Sequence, residues 1–341
     1  KLPIDRSSMS RWRKRVDIEK LEKILQESLH VAYKTKALSP KDVHKIAVDT
    51  TVQEKAVDYP SEIQLLLDGI IDLGRSAKRA GLKLKQNYRF IAKALAVKAS
   101  GYAHARQMNR LKTAKRSMRN LMYKLKARIE NALTKAGKSM DQLPEYLTER
   151  LVRSTKVLLQ QKTDKDQLLV WHAPEVECIA KGKARSPYEF GVKVSLATNI
   201  NPAKGGHFIL SSRALHGKPY DGHTLASTIE NVEDITGCEV SKAYVDDGYK
   251  GHDYEHKHRV YRSRQKRGVF GQIKKELKRR SSIEPIIGHA KHDHRMDRCR
   301  LKGKKGDQIN AIFAAIGFNF KQLLNWLALV YYSLIQNLKF A

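Results

Sequence analysis

Five residues of this chain have the types and spacing for chemistry at a phosphodiester: the carboxylates Asp49, Asp246 and Glu284, and the cations Arg280 and Lys291. Breaking or making that bond needs charge stabilised on a phosphorane and a nucleophile generated, and two divalent cations about 4 Å apart can do both. Mg²⁺ prefers oxygen ligands in octahedral geometry, so carboxylates at strand ends are the groups to inspect. Taken singly, Asp49 and Asp246 are ordinary strand-end or turn residues. Arg280, Glu284 and Lys291 fall at i, i+4 and i+11. On a helix their directions span only about 40°, so one face would carry a carboxylate flanked by two cations. The bland reading is a surface Arg280–Glu284 ion pair.

The elements that must position these groups are legible in part. KIAVDTTVQ, Lys45–Gln53, is short and β-branched and predicts a strand with Asp49 near its C-terminal end. AYVD closes on Asp246 before the Gly248 turn, so adjacent strands would bring both Asp to one sheet edge, where ligands commonly gather. Pro285 allows two geometries. Inside a helix it would lose a hydrogen bond and press on the Ser281 carbonyl; alternatively Ser281 and Glu284 form a capping box with Pro285 in the first turn.

The wider chain has 341 residues, enough for two domains, and 41% apolar content, enough for a core. With 66 Lys and Arg against 35 Asp and Glu, the net charge is +31, which points to a polyanionic partner. Cys178, Cys238 and Cys299 form no CxxC pair and fit a reducing cytoplasm. The apolar run Ile309–Leu338 is interrupted by Asn319, Lys321, Gln322 and Asn325, which predicts a packed core helix and no membrane span. The start at Lys1, inside a helical region, suggests a truncated copy.

Ser7, Ser8 and Ser10 are candidate N-caps for a basic helix carrying Arg11 to Arg15, with a second helix from Ile18 to about Lys34; a partial helix-turn-helix or a solvated basic face would both fit. Pro60 and Pro144 bracket 83 proline-free residues, where Met108, Leu111, Met118, Leu121, Leu125 and Ile129 mark a helical stripe. From Ile71 to Met140, 19 Lys and Arg stand against Asp72 and Glu130, so this helical insertion reads as a DNA-backbone surface, with a merely solvated face as the alternative. From Gln167 the texture turns β-rich: LLVWHA, then Tyr188–Asn199, then Gly206–Leu215 across an NPAKGG turn. A helix from His223 to Ile235, strands at Glu239–Asp246 and Val260–Arg262, and helices from Val269 onward complete a mixed α/β layer.

Taken together, these motifs resemble the DDE-type insertion-sequence transposases marked by a Y-R-E-K signature. The R(3)E(6)K part is present as Arg280, Glu284 and Lys291, with Leu277 in place of the Tyr. AYVDDGYKGH, Ala243–His252, looks like the D-x-G-Y block and selects Asp246 over Asp247; VDTTVQEKA, Val48–Ala56, resembles the block around the first Asp. His172–Ser195 and KPYDGHTL, Lys218–Leu225, resemble two further marked stretches. The resemblance implies an RNase H-like fold, a mixed sheet flanked by helices, with a large basic helical insertion after the first catalytic strand. It implies a partial DNA-binding region over 1–36, the first catalytic strand within 37–60, the insertion over 61–165, the rest of the catalytic domain over 166–301 and a C-terminal helix over 302–341. Asp49, Asp246 and Glu284 would be catalytic and hold two Mg²⁺ or Mn²⁺ ions, and Arg280 and Lys291 would bind DNA phosphates. Partners would be the element's terminal repeats and target DNA, engaged by a homodimer in a bacterial cytoplasm at the nucleoid. A catalytically dead DNA-binding relative, or a nuclease that cuts without joining, are the rival readings.

Two features invite other readings. GHAKHDHRMDRC, Gly288–Cys299, is rich in zinc-ligand types, but His292 and His294 would diverge by about 200° on a helix. Trp12 and Trp171 could stack on an exposed base, though core roles are commoner.

Overall fold

The computed structural model describes residues 5–137, 139, 142–161, 163–180 and 187–339. They form two compact units, one of residues 1–56 with 177–341 and one of residues 57–176. The first carries α1 (Arg6–Arg15), α2 (Ile18–Lys34), α3 (Pro40–Val43) and β1 (Lys45–Glu54). The second carries α4 (Glu62–Arg79), α5 (Arg89–His104), α6 (Met108–Lys135) and α7 (Glu145–Leu159). The first unit resumes with β2 (Glu177–Ala180), β3 (Tyr188–Asn199), β4 (Ile209–Leu215), α8 (Leu225–Thr236), β5 (Lys242–Val245) and β6 (Val260–Arg262), then α9 (Gly271–Arg279), α10 (Ile283–His292) and α11 (Gly303–Lys339). The result is a mixed α/β architecture.

The sheet runs β2-β3-β1-β5-β6, with β4 also paired to β3. β1 is antiparallel to β3 and parallel to β5, which is parallel to β6. Where β1 meets β3, only glycine fits opposite Glu54, since a Cβ on Gly191 would stand 2.0 Å from the Gln53 carbonyl oxygen. Alternation sends Ile46, Val48, Ala243 and Val245 into a large core that also takes Leu21, Leu25 and Leu29 of α2, Ile229 and Val232 of α8, and Ile312 and Ile316 of α11. α2 therefore belongs to the core of the sheet unit. Its neighbour α1 is capped by Asp5, which accepts from the Ser7 N–H, and not by the serines the sequence suggested. The helix starts at Arg6, so the serines fall inside it and the residue before it, Asp5, takes the cap.

The opposite face of the sheet buries a smaller cluster, Ala47, Tyr244, Ile200 and Ile283, with Leu277 packed against it. Under it the fully buried Glu276 accepts from Lys45 Nζ at 2.7 Å and from the Tyr244 hydroxyl.

Gly303–Ser333 is long and apolar enough to cross a bilayer by length and composition. Within the fold its Ile309–Leu323 portion feeds the core, and its buried Asn319 acts as a surrogate strand edge. Asn319 Oδ1 accepts from the Ile209 N–H at 2.8 Å, while Nδ2 donates to the Ile209 carbonyl at 2.9 Å.

The second unit is helical. Leu66, Ile70, Leu73, Met118, Met122, Leu125, Ile129, Leu147 and Leu151 share its core. The stripe on α6 is Met118, Met122, Leu125 and Ile129; Met108, in the first turn, is exposed. LLVWHA forms no strand. Leu168 and Trp171 instead plug the helical core, and Trp171 Nε1 donates to Asp72 Oδ2 at 2.9 Å, the same oxygen that takes Arg150 Nε at 2.9 Å. A short apolar run reads alike whether a sheet or a bundle receives it. Glu130 pairs with Lys126 at 2.6 Å, so both acids of the basic stretch have partners within the unit.

Candidate active site

The parallel pairing of β1 and β5 ends at Val48↔Val245. The next residue on each strand is Asp49 and Asp246, so the two stand at one level on neighbouring strands. Asp49 is not at the end of its strand, as the sequence suggested; β1 continues to Glu54 because β3 still pairs with it there. By alternation Asp49 shares the face of Ala47, and Asp246 follows that of Tyr244, the face where Ile283 packs.

Arg280, in a short 3-10 turn between α9 and α10, joins the set together. Its guanidinium lies 3.4 Å from Asp49 Oδ2, 3.8 Å from Asp246 Oδ1 and 3.3 Å from Glu284 Oε1. Arg280 is nearly buried at 11% exposure, whereas Glu284 is open to solvent at 61%. Pro285 occupies the first turn of α10, where no donor is required, and the 3-10 turn absorbs the break in the helix. No capping box forms: the Ser281 hydroxyl donates back to the Lys278 carbonyl at 3.1 Å. Lys291, half-buried, lies two turns further along α10, about 10 Å of helical rise from Glu284. Asp49, Asp246, Glu284 and Arg280 are thus brought together, and Lys291 stands apart.

The electrostatics separate the two aspartates. Burial pushes the Asp49 carboxyl up to about 6, helped by the charges of Asp246 and Asp221; the Thr50 N–H, donating at 2.8 Å, and Arg280 pull against it. Burial also opposes charge on Asp246, but the Ser263 hydroxyl, donating at 2.9 Å, the Asp247 N–H, Arg280 and Arg264 outweigh it and hold its carboxyl below the usual carboxylate range. Asp247 turns away to Arg262 at 3.3 Å.

A fourth acid was not singled out from the sequence. Asp221 accepts from the Thr50 hydroxyl and from Lys193 Nζ, both at 2.9 Å, which places it beside Asp49. Its signal was present in KPYDGHTL. The buried Tyr249 ring completes the floor; burial, then the charges of Asp49, Asp221 and Asp246, raise its phenol well above the usual value. Leu277, at the position of the signature Tyr, packs in the small apolar cluster.

Among the described residues no three His, Cys, Asp or Glu side chains converge closely enough to enclose an ion. The three carboxylates converge on a cation nonetheless, the Arg280 guanidinium. Their donors are hard oxygens, the set that Mg²⁺ or Mn²⁺ takes, so the residues fit such an ion chemically. In the His-rich segment, His289 pairs with Asp293 at 2.9 Å and His292 lies 3.9 Å from Asp297.

Residues 212–324 match the family described as a transposase DDE domain. The match supports a DDE-type transposase. It spans Asp221, Asp246, Arg280, Glu284 and Lys291, and Asp49 lies outside it. The chain is also 44% identical over 105 residues to "Uncharacterized protein ORF8 in nfe locus" of Rhizobium meliloti, an alignment that covers 31% of this chain and 51% of the relative. The chain thus spans about half the length of that curated relative. No solved structure matches. A DDE domain implies nuclease or transposase activity, a DNA substrate and, generally, divalent metals.

Proposed function

We propose that this chain cleaves DNA at the ends of an insertion element and joins the freed 3′ ends to target DNA, as a member of the Y-R-E-K group with an RNase H-like catalytic fold. The observation that carries this reading is the level pairing of Asp49 and Asp246 with Arg280 and Glu284 closing over them.

Asp49, Asp246 and Glu284 would hold two Mg²⁺ or Mn²⁺ ions. When bound, such ions lower the barrier to attack at phosphorus by neutralising charge that builds on the phosphoryl oxygens. Water attacks the phosphodiester at the element's end and the 3′-oxygen leaves as a hydroxyl; that hydroxyl then attacks a target phosphodiester, so one P–O bond breaks for each that forms. The Thr50 N–H and the Arg280 guanidinium, which favour charge on Asp49, would help keep it the carboxylate that such an ion requires. Arg280 sits where it can meet a phosphate oxygen, and Lys291 would hold a phosphate further along α10. The basic helical unit would grip the duplex backbone, and two ends would be bridged by a homodimer at the nucleoid.

The test is cleavage and strand transfer on DNA carrying the element's own ends, with Mg²⁺ or Mn²⁺, comparing the wild-type chain with Asp246→Asn. Metal-dependent cleaved and joined products lost in the variant support the proposal. Cleavage without joining would reduce it to a nuclease, and binding without products in either protein would make the chain a catalytically dead relative.

A further inference from the structure

We propose a further DNA-backbone site, separate from the carboxylates and from the helical unit, in a pocket between α1, the segment after α10 and the start of α11. The inference rests on the reading of this chain as a DNA-processing enzyme and adds to it a subsite. The pocket, about 440 Å³, is lined by Met9, Leu301 and Phe313 on its apolar side and by Arg295, Arg298 and Arg300 on its charged side.

Two independent observations point to an anionic ligand. All three arginines are exposed, and none of their guanidiniums has an ion pair or hydrogen bond among the described residues. The neighbouring acids are already engaged: Asp293 holds Lys321 at 2.8 Å and His289 at 2.9 Å, and Asp297 lies 3.9 Å from His292. Three guanidiniums lining one pocket make it attractive to an anion, and the planar guanidinium fork suits phosphate.

The second observation is that the loop is built to present them. Met296 and Cys299 are fully buried between the exposed arginines. The backbone is tied down at both, with the Met296 N–H donating to the Ala290 carbonyl at 3.1 Å and the Cys299 N–H to the Glu54 carbonyl at 2.7 Å. Arg295 holds a left-handed φ of 63°, and its carbonyl accepts from Asn310 Nδ2 at 3.3 Å. Such strain in a bulky residue persists only where the surroundings fix it. A fixed loop binds without the ordering cost of a mobile one.

The position suits a strand running from the carboxylates. α10 starts beside Glu284, carries Lys291 and ends next to this loop, a span of about 15 Å. Duplex DNA presents one phosphate charge per ~1.7 Å of axis, so a backbone lying along α10 meets several cations in succession. The pocket would hold the flank of the duplex while the scissile phosphate sits at Arg280.

The experiment is fluorescence anisotropy of a labelled short DNA duplex carrying the element's end, titrated with the full chain at several NaCl concentrations without divalent metal. Wild type is compared with Arg298→Gln/Arg300→Gln and with Lys41→Gln/Lys204→Gln, which removes two exposed charges elsewhere on the same unit. The pocket variant is expected to bind at least ~10-fold more weakly at ~0.1 M salt, with its log K against log salt slope reduced by about 1.8 for two lost phosphate contacts. The control variant should keep the wild-type slope. Single Arg298→Gln and Arg300→Gln variants, each expected to lose about half of that slope, separate the effect from misfolding of the double variant. Equal slopes in pocket and control variants would overturn the subsite while leaving the catalytic proposal standing. Failure of wild type to bind duplex DNA would overturn both, whereas slope loss in a chain that never cleaves would uphold the subsite alone.

Discussion

Asp49 and Asp246 each follow the last residue of the β1–β5 register, Val48 and Val245, so two aspartates 197 positions apart in sequence stand side by side on parallel strands. Adjacent strands lie about 4.8 Å apart. Two carboxylates at that spacing repel, and the fold answers with one guanidinium.

The adjacent pair Asp246 and Asp247 should differ sharply in function. Asp246→Asn is expected to lower cleavage by at least ~10²-fold, while Asp247→Asn, whose side chain faces Arg262, should stay within about 10-fold of wild type. Single-turnover cleavage of the element's end measures both, and equal losses would make the assignment wrong.

Asp49 should make the fold less stable as pH rises. Its carboxyl titrates near 6 in the folded state against 3.8 in the open chain, so the native state binds more protons between those values. Its contribution is therefore most favourable below pH 4 and diminishes as pH climbs to 6, by on the order of 2 kcal/mol. Asp49→Asn should remove that slope and be more stable than wild type above pH 6 even as cleavage disappears. Urea unfolding at pH 4, 5, 6 and 7 checks it.

Arg280 occupies the point on which the carboxylates converge, so it should compete with a divalent cation there. Arg280→Gln is expected to bind Mn²⁺ several-fold more tightly in the absence of DNA while cleaving at least ~10²-fold more slowly. Calorimetric titration with Mn²⁺ gives the first quantity; unchanged or weaker affinity would show that the guanidinium assists the ion instead.

Asn319→Leu keeps the volume of α11 but leaves the Ile209 N–H and carbonyl buried without partners. A cost of about 2–4 kcal/mol is expected, read as a fall in the urea midpoint with unchanged slope.

Much of the sheet could be anticipated because β1, β3 and β6 are short β-branched or aromatic runs, and the R-x3-E spacing survives as a real contact between Arg280 and Glu284. What failed did so for physical reasons. LLVWHA is apolar enough for a strand, yet Trp171 finds its hydrogen-bond partner in Asp72 of a helical core. Asp221 was overlooked because its place beside Asp49 depends on Thr50 and Lys193, residues distant in sequence that only strand pairing assembles. Lys291 keeps its angular direction on α10, but two turns of rise separate it from Glu284, a distance that angular periodicity ignores.

Gly191 is paired on one side with Glu54, the last residue of β1, and on the other with Glu177, the first of β2. The chain therefore leaves the sheet unit and re-enters it on either flank of a single glycine, about 10 Å apart across two strand spacings. Residues 57–176 form the second unit and are joined to the first in sequence at these two points. In architectural terms that segment is an insert: both of its ends are fastened to β3, so its length does not enter the register that aligns Asp49 with Asp246. The alignment of Asp49 with Asp246 is thereby set by the ladder alone, whatever the length of chain between the two edges.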